Sequence, residues 1–258
     1  MTTEKTVWDV NFLQVPSSTK FPDALRALII LNQPISLYLL KSVWSTTQWH
    51  CCADGGANRL YDALLPLERE EFLPDLIKGD LDSIRPEVSE YYSSRGVDVI
   101  QDGDQNSTDL MKCVSALTEK ERIAQSEQHD IILLGGLSGR LDQTIHTLSY
   151  LHKLRKERKR VFAVTDENVG WVLDSGEHEI LVDHDLLGPT CGLLPVGIDQ
   201  TVLSTSGLRW NLSDQISSFD GLVSTSNHLI PTERVVWVKT SKPIWWTAEL
   251  KAVSTAEA

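Results

Sequence analysis

Four short polar stretches between Asp54 and Gln143 hold the residue types most able to do chemistry. They are Asp54-Gly55-Gly56-Ala57-Asn58-Arg59, Gly79-Asp80-Leu81-Asp82-Ser83, Ser107-Thr108-Asp109, and Gly135-Gly136-Leu137-Ser138-Gly139-Arg140-Leu141-Asp142-Gln143. Each follows a short apolar run that reads as a strand. In a parallel α/β sheet such positions share one rim, at the carboxyl ends of the strands, where ligands bind. Carboxylates gathered at one rim repel each other unless a cation lies among them. Oxygen donors with no His or Cys beside them suit Mg²⁺, and Mg²⁺ held by a few carboxylates usually serves phosphate chemistry.

The individual motifs have plainer readings as well. If the backbone is still extended at Asp80-Leu81-Asp82, the two acids point to the same side and need a metal or a shared proton; otherwise the stretch is a turn with solvated aspartates. Asp109 in a first helical turn is a favourable partner for the helix dipole. Asp54 precedes two glycines that allow close backbone approach, to a ligand or simply within a tight turn. The Gly135–Gly139 stretch, between a strand and a helix, resembles a phosphate cradle because the free N–H groups at a helix start favour anions. It is neither a Walker loop nor a dinucleotide fingerprint. Arg140 is placed to clamp a phosphate, and Asp142 to cap the helix or reach the metal.

The elements that must position these residues alternate. Runs at 27–31, 49–53, 75–78, 97–100, 131–134 and 161–164 read as strands. Helical patterns fall at 35–44, 60–67, 86–95, around Leu110, Cys113, Val114 and Leu117 with Ser107 or Thr108 as cap, and at 141–154. This order predicts a mainly parallel sheet with helices on both faces. Beyond Asp174 the pattern changes to short alternating or β-branched runs separated by Gly, Pro, Asn and Asp, as in an all-β sandwich. The expected division is therefore an α/β catalytic domain over 1–174 and a β-sandwich domain over 175–258. In the second part, Trp210 in the polar stretch Gly207-Leu208-Arg209-Trp210-Asn211-Leu212, and the small polar run Ser224-Thr225-Ser226-Asn227, are ordinary sandwich features. Together they also offer what a flat cationic heterocycle needs, an aromatic face beside small polar groups.

The bulk numbers agree with a soluble globular protein: 258 residues, 41% hydrophobic and 23% charged. A net charge of −12, from 36 acidic against 24 basic side chains, argues against a nucleic-acid surface. The one dense basic run, 152–160, reads as a solvated helix end. The four cysteines (Cys51, Cys52, Cys113, Cys191) form no C-x-x-C pair and suggest buried thiols in a reducing compartment. No stretch has the length of a membrane span or of a signal-peptide core, so the expectation is a cytoplasmic protein without membrane partners.

The series DGGANR, GDLDS, TD, GGLSGRLDQ, CGLLPVG, GLRWNL and STSN, in this order, closely resembles thiamine pyrophosphokinase of the eukaryotic type. The resemblance spans roughly residues 25 to 250. It implies an enzyme that transfers diphosphate from ATP to the hydroxyethyl oxygen of thiamine, giving thiamine diphosphate and AMP. It implies Mg²⁺ on the aspartates at 54, 80, 82 and 109, with Asp80, Asp82 and Asp109 as candidate proton acceptors. The expected nucleotide contacts are Asp54, Asn58, Arg59, Thr108, Arg140, Asp142 and Gln143; the expected thiamine contacts are Trp210, Ser224, Ser226 and Asn227. It also implies a homodimer with thiamine bound at the subunit interface. Asn106 is a departure, since many relatives carry an acid there. Two other readings remain at this point: a thiamine-binding or regulatory protein that keeps the fold without turnover, and a related pyrophosphokinase or phosphohydrolase acting on another heterocycle.

Overall fold

The computed structural model describes residues 5–14 and 24–251. In chain order the elements are β1 (Thr6–Trp8), a 3-10 turn (Asn11–Leu13), β2 (Arg26–Ile30), α1 (Leu37–Ser45), β3 (Trp49–Ala53), α2 (Gly56–Ala63), a second 3-10 turn (Arg69–Glu71), β4 (Leu76–Gly79), α3 (Pro86–Ser93), β5 (Asp98–Gln101), α4 (Asp109–Ala124), β6 (Asp130–Leu134), α5 (Leu141–Leu154) and β7 (Val161–Val164). Strands alone follow: β8 (Asn168–Leu173), β9 (Gly176–Leu181), β10 (Leu187–Leu194), β11 (Thr201–Ser206), β12 (Gln215–Ser217), β13 (Ser224–His228), β14 (Val235–Thr240) and β15 (Ile244–Leu250). The expected fold class is the observed one, an α/β part followed by a strand-rich part.

Contacts divide the described chain into two compact units. One comprises residues 24–141 and 158–165, the other residues 5–14, 142–157 and 166–251. These units do not coincide with a linear division at residue 174. β1, which pairs with β9, and β8, which pairs with β15, both go with the C-terminal strands.

The first unit is built on six parallel strands in the order β7-β6-β2-β3-β4-β5. Its central strands are covered on both faces, as all-parallel sheets require: Ala27 through Ile30 and Ile131 through Leu134 are fully buried. At the margin, β5 leaves Asp98, Ile100 and Gln101 exposed, a short polar edge of the kind that discourages further strand pairing. The order reverses between β2 and β6, because β3 to β5 run out to one side and β6 and β7 to the other. Crevices open at such switch points.

Helix starts in this unit have identifiable causes. Ser36 caps α1 by accepting from the Leu39 N–H at 3.2 Å. Thr108 caps α4, its Oγ1 3.4 Å from the Met111 nitrogen. Pro86 occupies the first position of α3, where its missing N–H costs nothing. One start differs from expectation: α2 opens at Gly56, within DGGANR, rather than near Leu60. A side-chain carbon at Gly56 would lie 2.2 Å from the Ile30 carbonyl oxygen, so close packing on β2 selects glycine there despite its poor helix propensity.

The second unit has two groups of strands. One is β1-β9-β14-β11-β12, antiparallel except for the parallel β1–β9 pair. The other is β13-β10-β15-β8, antiparallel throughout. Tryptophans join the two. Trp8 of β1 stacks on Trp171 of β8 at 5.7 Å between ring centroids, and Trp171 meets Trp246 at 6.4 Å. Trp8 donates its indole N–H to His178 Nδ1 at 3.1 Å. His178 Nε2 lies 2.8 Å from the Asp174 carbonyl oxygen, which makes Nε2 the protonated nitrogen. Burial holds the His178 pKa below its ordinary value, with the Asp174 carbonyl opposing. All four cysteines are free and buried. No helix among the described residues is long and apolar enough to cross a membrane.

The basic run after α5 is not uniformly solvated. Lys153, Lys156 and Lys159 are exposed, but Arg158 is buried and its guanidinium clasps the buried Glu121 carboxylate of α4 through both nitrogens. The same carboxylate accepts from the His129 N–H at 2.7 Å and lies 3.0 Å from His129 Nδ1. Burial alone would raise the Glu121 carboxyl. The hydrogen bonds from Arg158 and His129 outweigh it and hold the carboxyl below its ordinary value. A lowered carboxyl contributes stability above the unfolded-state pKa, about 4.3 for Glu, and loses it as pH falls through the lowered native value. Glu121→Ala strands a buried guanidinium and should cost about 3 to 5 kcal/mol at pH 7. Urea unfolding of both proteins from pH 7 to pH 3 checks this, with the difference shrinking toward the acid end. A difference below about 1 kcal/mol at pH 7 would refute a buried, paired Glu121.

Candidate metal and nucleotide site

The parallel sheet delivers its acids to one place. Asp54 follows β3, Asp80 follows β4, and Asp109 opens α4 after β5. Their ligand oxygens all lie within 4.8 Å of one another. The cluster is tied together by backbone. Both Asp54 oxygens accept N–H groups from the β4–α3 loop, from Ser83 at 3.1 Å and Ile84 at 3.0 Å. Asp109 Oδ1 accepts the Asp80 N–H at 3.2 Å. Gln101 donates to the Asp80 carbonyl at 2.9 Å. Glycine is obligatory at 79, where a side-chain carbon would sit 2.7 Å from Asp54 Cβ and 2.9 Å from Asp109 Oδ1.

Asp82 stands apart from this group. The extended backbone that would set Asp80 and Asp82 on one side does not occur, because Leu81 takes a left-handed conformation, φ 61°. The Asp82 N–H turns back to Asp80 Oδ1 at 3.2 Å, and Asp82 Oδ1 accepts the Ser83 hydroxyl at 2.7 Å. Asp82 is thus beside the cluster in sequence but is not one of its three converging carboxylates.

Two charges bear on the cluster. Asp54 is 2% exposed; burial pushes its carboxyl up, the Asp109 charge adds to this, and the Ile84 and Ser83 N–H groups oppose it. Lys112, one turn along α4 and buried, places Nζ 3.3 Å from Asp109 Oδ1. One lysine cannot neutralise three carboxylates. The donor set, all carboxylate oxygen with no His or Cys, fits a hard divalent cation such as Mg²⁺.

The remaining sequence candidates of the first two thirds of the chain take different parts. Asn58 and Arg59 lie in the first turn of α2. Asn58 braces the β4–α3 loop, donating to the Ser83 carbonyl at 2.9 Å and accepting the Arg85 N–H at 3.1 Å. Arg59 donates Nε–H to Asn32 Oδ1 at 2.9 Å. The loop after β6 carries Gly135, Gly136 and Gly139 at φ 109°, 91° and 79°, conformations glycine adopts at little cost. Arg140 precedes α5, and Asp142 and Gln143 lie in its exposed first turn. Asn106 donates its N–H to Asp104 Oδ1 at 2.9 Å, part of the turn that leads into α4.

The second unit brings together Trp210 and the β13 residues. Trp210 is 52% exposed, so it is not a core residue. Its N–H donates to Asn227 Oδ1 at 3.2 Å and its carbonyl accepts from Asn227 Nδ2 at 2.8 Å. Asn227 and Ser224 are buried, while Ser226 is exposed in a left-handed conformation, φ 54°. The Arg209 guanidinium lies 4.8 Å from the Trp210 ring centroid, and the His228 ring 5.2 Å away. Sequence reading missed Arg209 and His228 as neighbours of this indole, as it missed Gln101 and Lys112 at the acidic cluster. Only adjacency to the motifs marked any of them.

Comparison with known proteins identifies the family. Residues 40–163 match the family described as thiamin pyrophosphokinase, catalytic domain, and residues 177–245 match thiamin pyrophosphokinase, vitamin B1 binding domain. The chain is 37% identical over 238 residues to thiamine pyrophosphokinase 3 of Oryza sativa subsp. japonica, covering 88% of each chain. It is 37% identical over 235 residues to thiamine pyrophosphokinase 2 of Arabidopsis thaliana, covering 87% of this chain and 86% of that one. The crystal structure of yeast thiamin pyrophosphokinase superposes with a TM-score of 0.84 at 26% identity, covering 97% of this chain and 93% of that one.

A raised Asp54 pKa has a measurable consequence. A cation must displace its proton, so affinity grows as pH rises through the native value and fades at a pH above the ordinary aspartate range near 3.9. Mg²⁺ should raise the melting temperature at pH 7.5 and do so progressively less as the pH falls toward the raised native value of Asp54. Asp54→Asn should abolish the Mg²⁺ response at every pH. An undiminished response in that variant would place the metal elsewhere.

Proposed function

Since the chain belongs to the thiamin pyrophosphokinase family and is a thiamine diphosphokinase, making thiamine diphosphate from thiamine with ATP as co-substrate, we propose that Asp54, Asp80 and Asp109 are its metal ligands. The observation that carries this reading is the convergence of three carboxylates within 4.8 Å at the rim where the sheet gathers its loops. Asp82 joins them as a neighbour that reaches the ion or receives a proton. Mg²⁺ bound there would neutralise phosphate oxygens and hold the reacting groups in line for attack on the β-phosphorus.

The chain's own residues then divide the work. The loop 135–139 and Arg140 receive the phosphates of ATP, with Asp142 and Gln143 at the start of α5 and Asn58, Arg59 and Thr108 completing the nucleotide contacts. Trp210 offers its exposed face to thiamine, and Ser224, Ser226 and Asn227 offer hydroxyl and amide groups. Asn227 also fixes the Trp210 backbone through its two hydrogen bonds, so the platform is set before ligand arrives. A carboxylate of the cluster, Asp80, Asp82 or Asp109, accepts the proton of the hydroxyethyl group. Most of the acceleration comes from positioning and electrostatics. A binding protein without turnover would be free to lose a metal aspartate, and all are retained.

Purified protein supplied with thiamine, ATP and Mg²⁺ should yield thiamine diphosphate together with AMP; thiamine monophosphate with ADP would contradict diphosphate transfer. Asp80→Asn should lower kcat by at least about 100-fold, the scale of losing one strong electrostatic stabiliser, with the fold intact because like-charge repulsion is relieved. Full activity would remove Asp80 from the metal site.

We further propose a cytoplasmic homodimer whose thiamine site lies at the subunit interface. Exposed apolar side chains in the second unit, among them Ile145 and Phe219 at 54% and 65%, support this reading as surface a second subunit would cover. Sedimentation should show a dimer; a fully active monomer would contradict it. Trp210→Ala should weaken thiamine binding by roughly 2- to 30-fold, the range of a cation–π contact, leaving the KM for ATP and the melting temperature nearly unchanged. A large fall in melting temperature with unchanged thiamine affinity would return Trp210 to a structural role.

A further inference from the structure

The end of β2 carries no acid and no glycine, yet it lies at the switch point of the sheet. The ladder between β2 and β6 closes with the Leu31 N–H on the Leu134 carbonyl at 3.0 Å. Beyond it the two chains part, and Asn32-Gln33 stands between the two motifs assigned to the nucleotide. Gln33 Oε1 accepts the Gly136 N–H at 2.8 Å and the Ser138 hydroxyl at 3.0 Å. Gln33 Nε2 donates to the Ser138 carbonyl at 2.6 Å. A side-chain carbon at Gly135 would come within 3.2 Å of Gln33 Oε1, so the glycine lets the loop settle on the amide. On the other side Asn32 Oδ1 holds Arg59.

We propose that Asn32-Gln33 is a positioning device for the nucleotide phosphates, with Gln33 setting the 135–139 loop and Asn32 aiming Arg59. A loop with three glycines samples many conformations, and fixing it costs backbone entropy on binding. The Gln33 amide uses both its donor and its acceptor to hold the loop at two points, so part of that cost is met before ATP arrives. The Gly136 N–H is committed to Gln33, which makes the role of the side chain one of arranging the loop rather than touching phosphate. This inference rests on reading that loop as the phosphate cradle.

Gln33→Met keeps the length of the side chain and removes its hydrogen bonds. It should raise both the KM for ATP and the Ki of inorganic tripolyphosphate about tenfold, the scale of one to two net hydrogen bonds. The KM for thiamine, kcat at saturating ATP, and inhibition by adenosine should stay within about twofold, a split that general destabilisation would not produce. Ser138→Gly, which removes the hydroxyl partner, should shift the same two constants in the same direction by less. Unchanged ATP and tripolyphosphate constants in both variants would overturn the proposal. Arg140→Ala separates the levels: if it weakens tripolyphosphate inhibition while the Gln33 and Ser138 variants do not, only the positioning role fails. If none of the three matters, the loop is not the phosphate site.

Discussion

Like charges do not share a space a few ångströms across without compensation, and this constraint organises the first unit. Asp54, Asp80 and Asp109 converge within 4.8 Å, and two kinds of positive partner reach them. Backbone N–H groups of Asp80, Ser83 and Ile84 point at the carboxylates. The Lys112 ammonium is buried against Asp109. What these leave uncompensated is the charge assigned above to the proposed cation; burial meanwhile pushes the Asp54 carboxyl up. The parallel sheet makes the convergence possible, since β3, β4 and β5 all end on the same rim. Gly79 lets Asp54 and Asp109 approach across it. The fold and the charge problem are therefore one design: an antiparallel arrangement of the same strands would scatter the acids to both ends.

Much of this was legible in the sequence because the signals were local. The runs at 49–53, 131–134 and 161–164 and the helix at 141–154 match β3, β6, β7 and α5 within a residue, and Thr108 is the cap of α4. Four polar motifs after four strands pointed to one rim. What escaped depended on contacts distant in sequence. β1 owes its existence to pairing with β9; three residues cannot announce a strand by periodicity. Arg158 looked like part of a solvated basic end, and only the fold brings Glu121 to it. Asp82 failed the alternation rule because Leu81 reverses its φ, and no composition rule assigns a left-handed conformation to a leucine.

The second unit shows the same divide between type and placement. A tryptophan between Arg209 and Asn211 is unusual for a core, and its polar flanks correctly suggested exposure. The residues fixing it were less obvious. Asn227 of β13, itself buried, clamps the Trp210 backbone in the connection between β11 and β12, and His228 of the same strand as Asn227 lies beside the indole ring. The core tryptophans, in contrast, are packed inside: Trp8 on Trp171 joins the unit's two groups of strands, and Trp171 against Trp246 packs within one of them. Tryptophan thus does two jobs here, and burial rather than identity tells them apart.

The net charge of −12 sets the last requirement. An acidic protein that takes a polyanionic nucleotide repels it at long range, although salt screens charges beyond about 8 Å at physiological strength. Binding must therefore come from charge reversed locally. The proposed cation, Lys112 beside Asp109, the N–H groups of the loop after β6, and Arg59 and Arg140 are the features proposed to supply it. Each acts only over a few ångströms, so each must be held in place beforehand. That explains why polar side chains with no charge of their own, Asn32, Gln33, Asn58 and Gln101, carry so many of the hydrogen bonds around the site. Neutral amides can donate and accept at once without adding to the negative field, which a carboxylate brace would do.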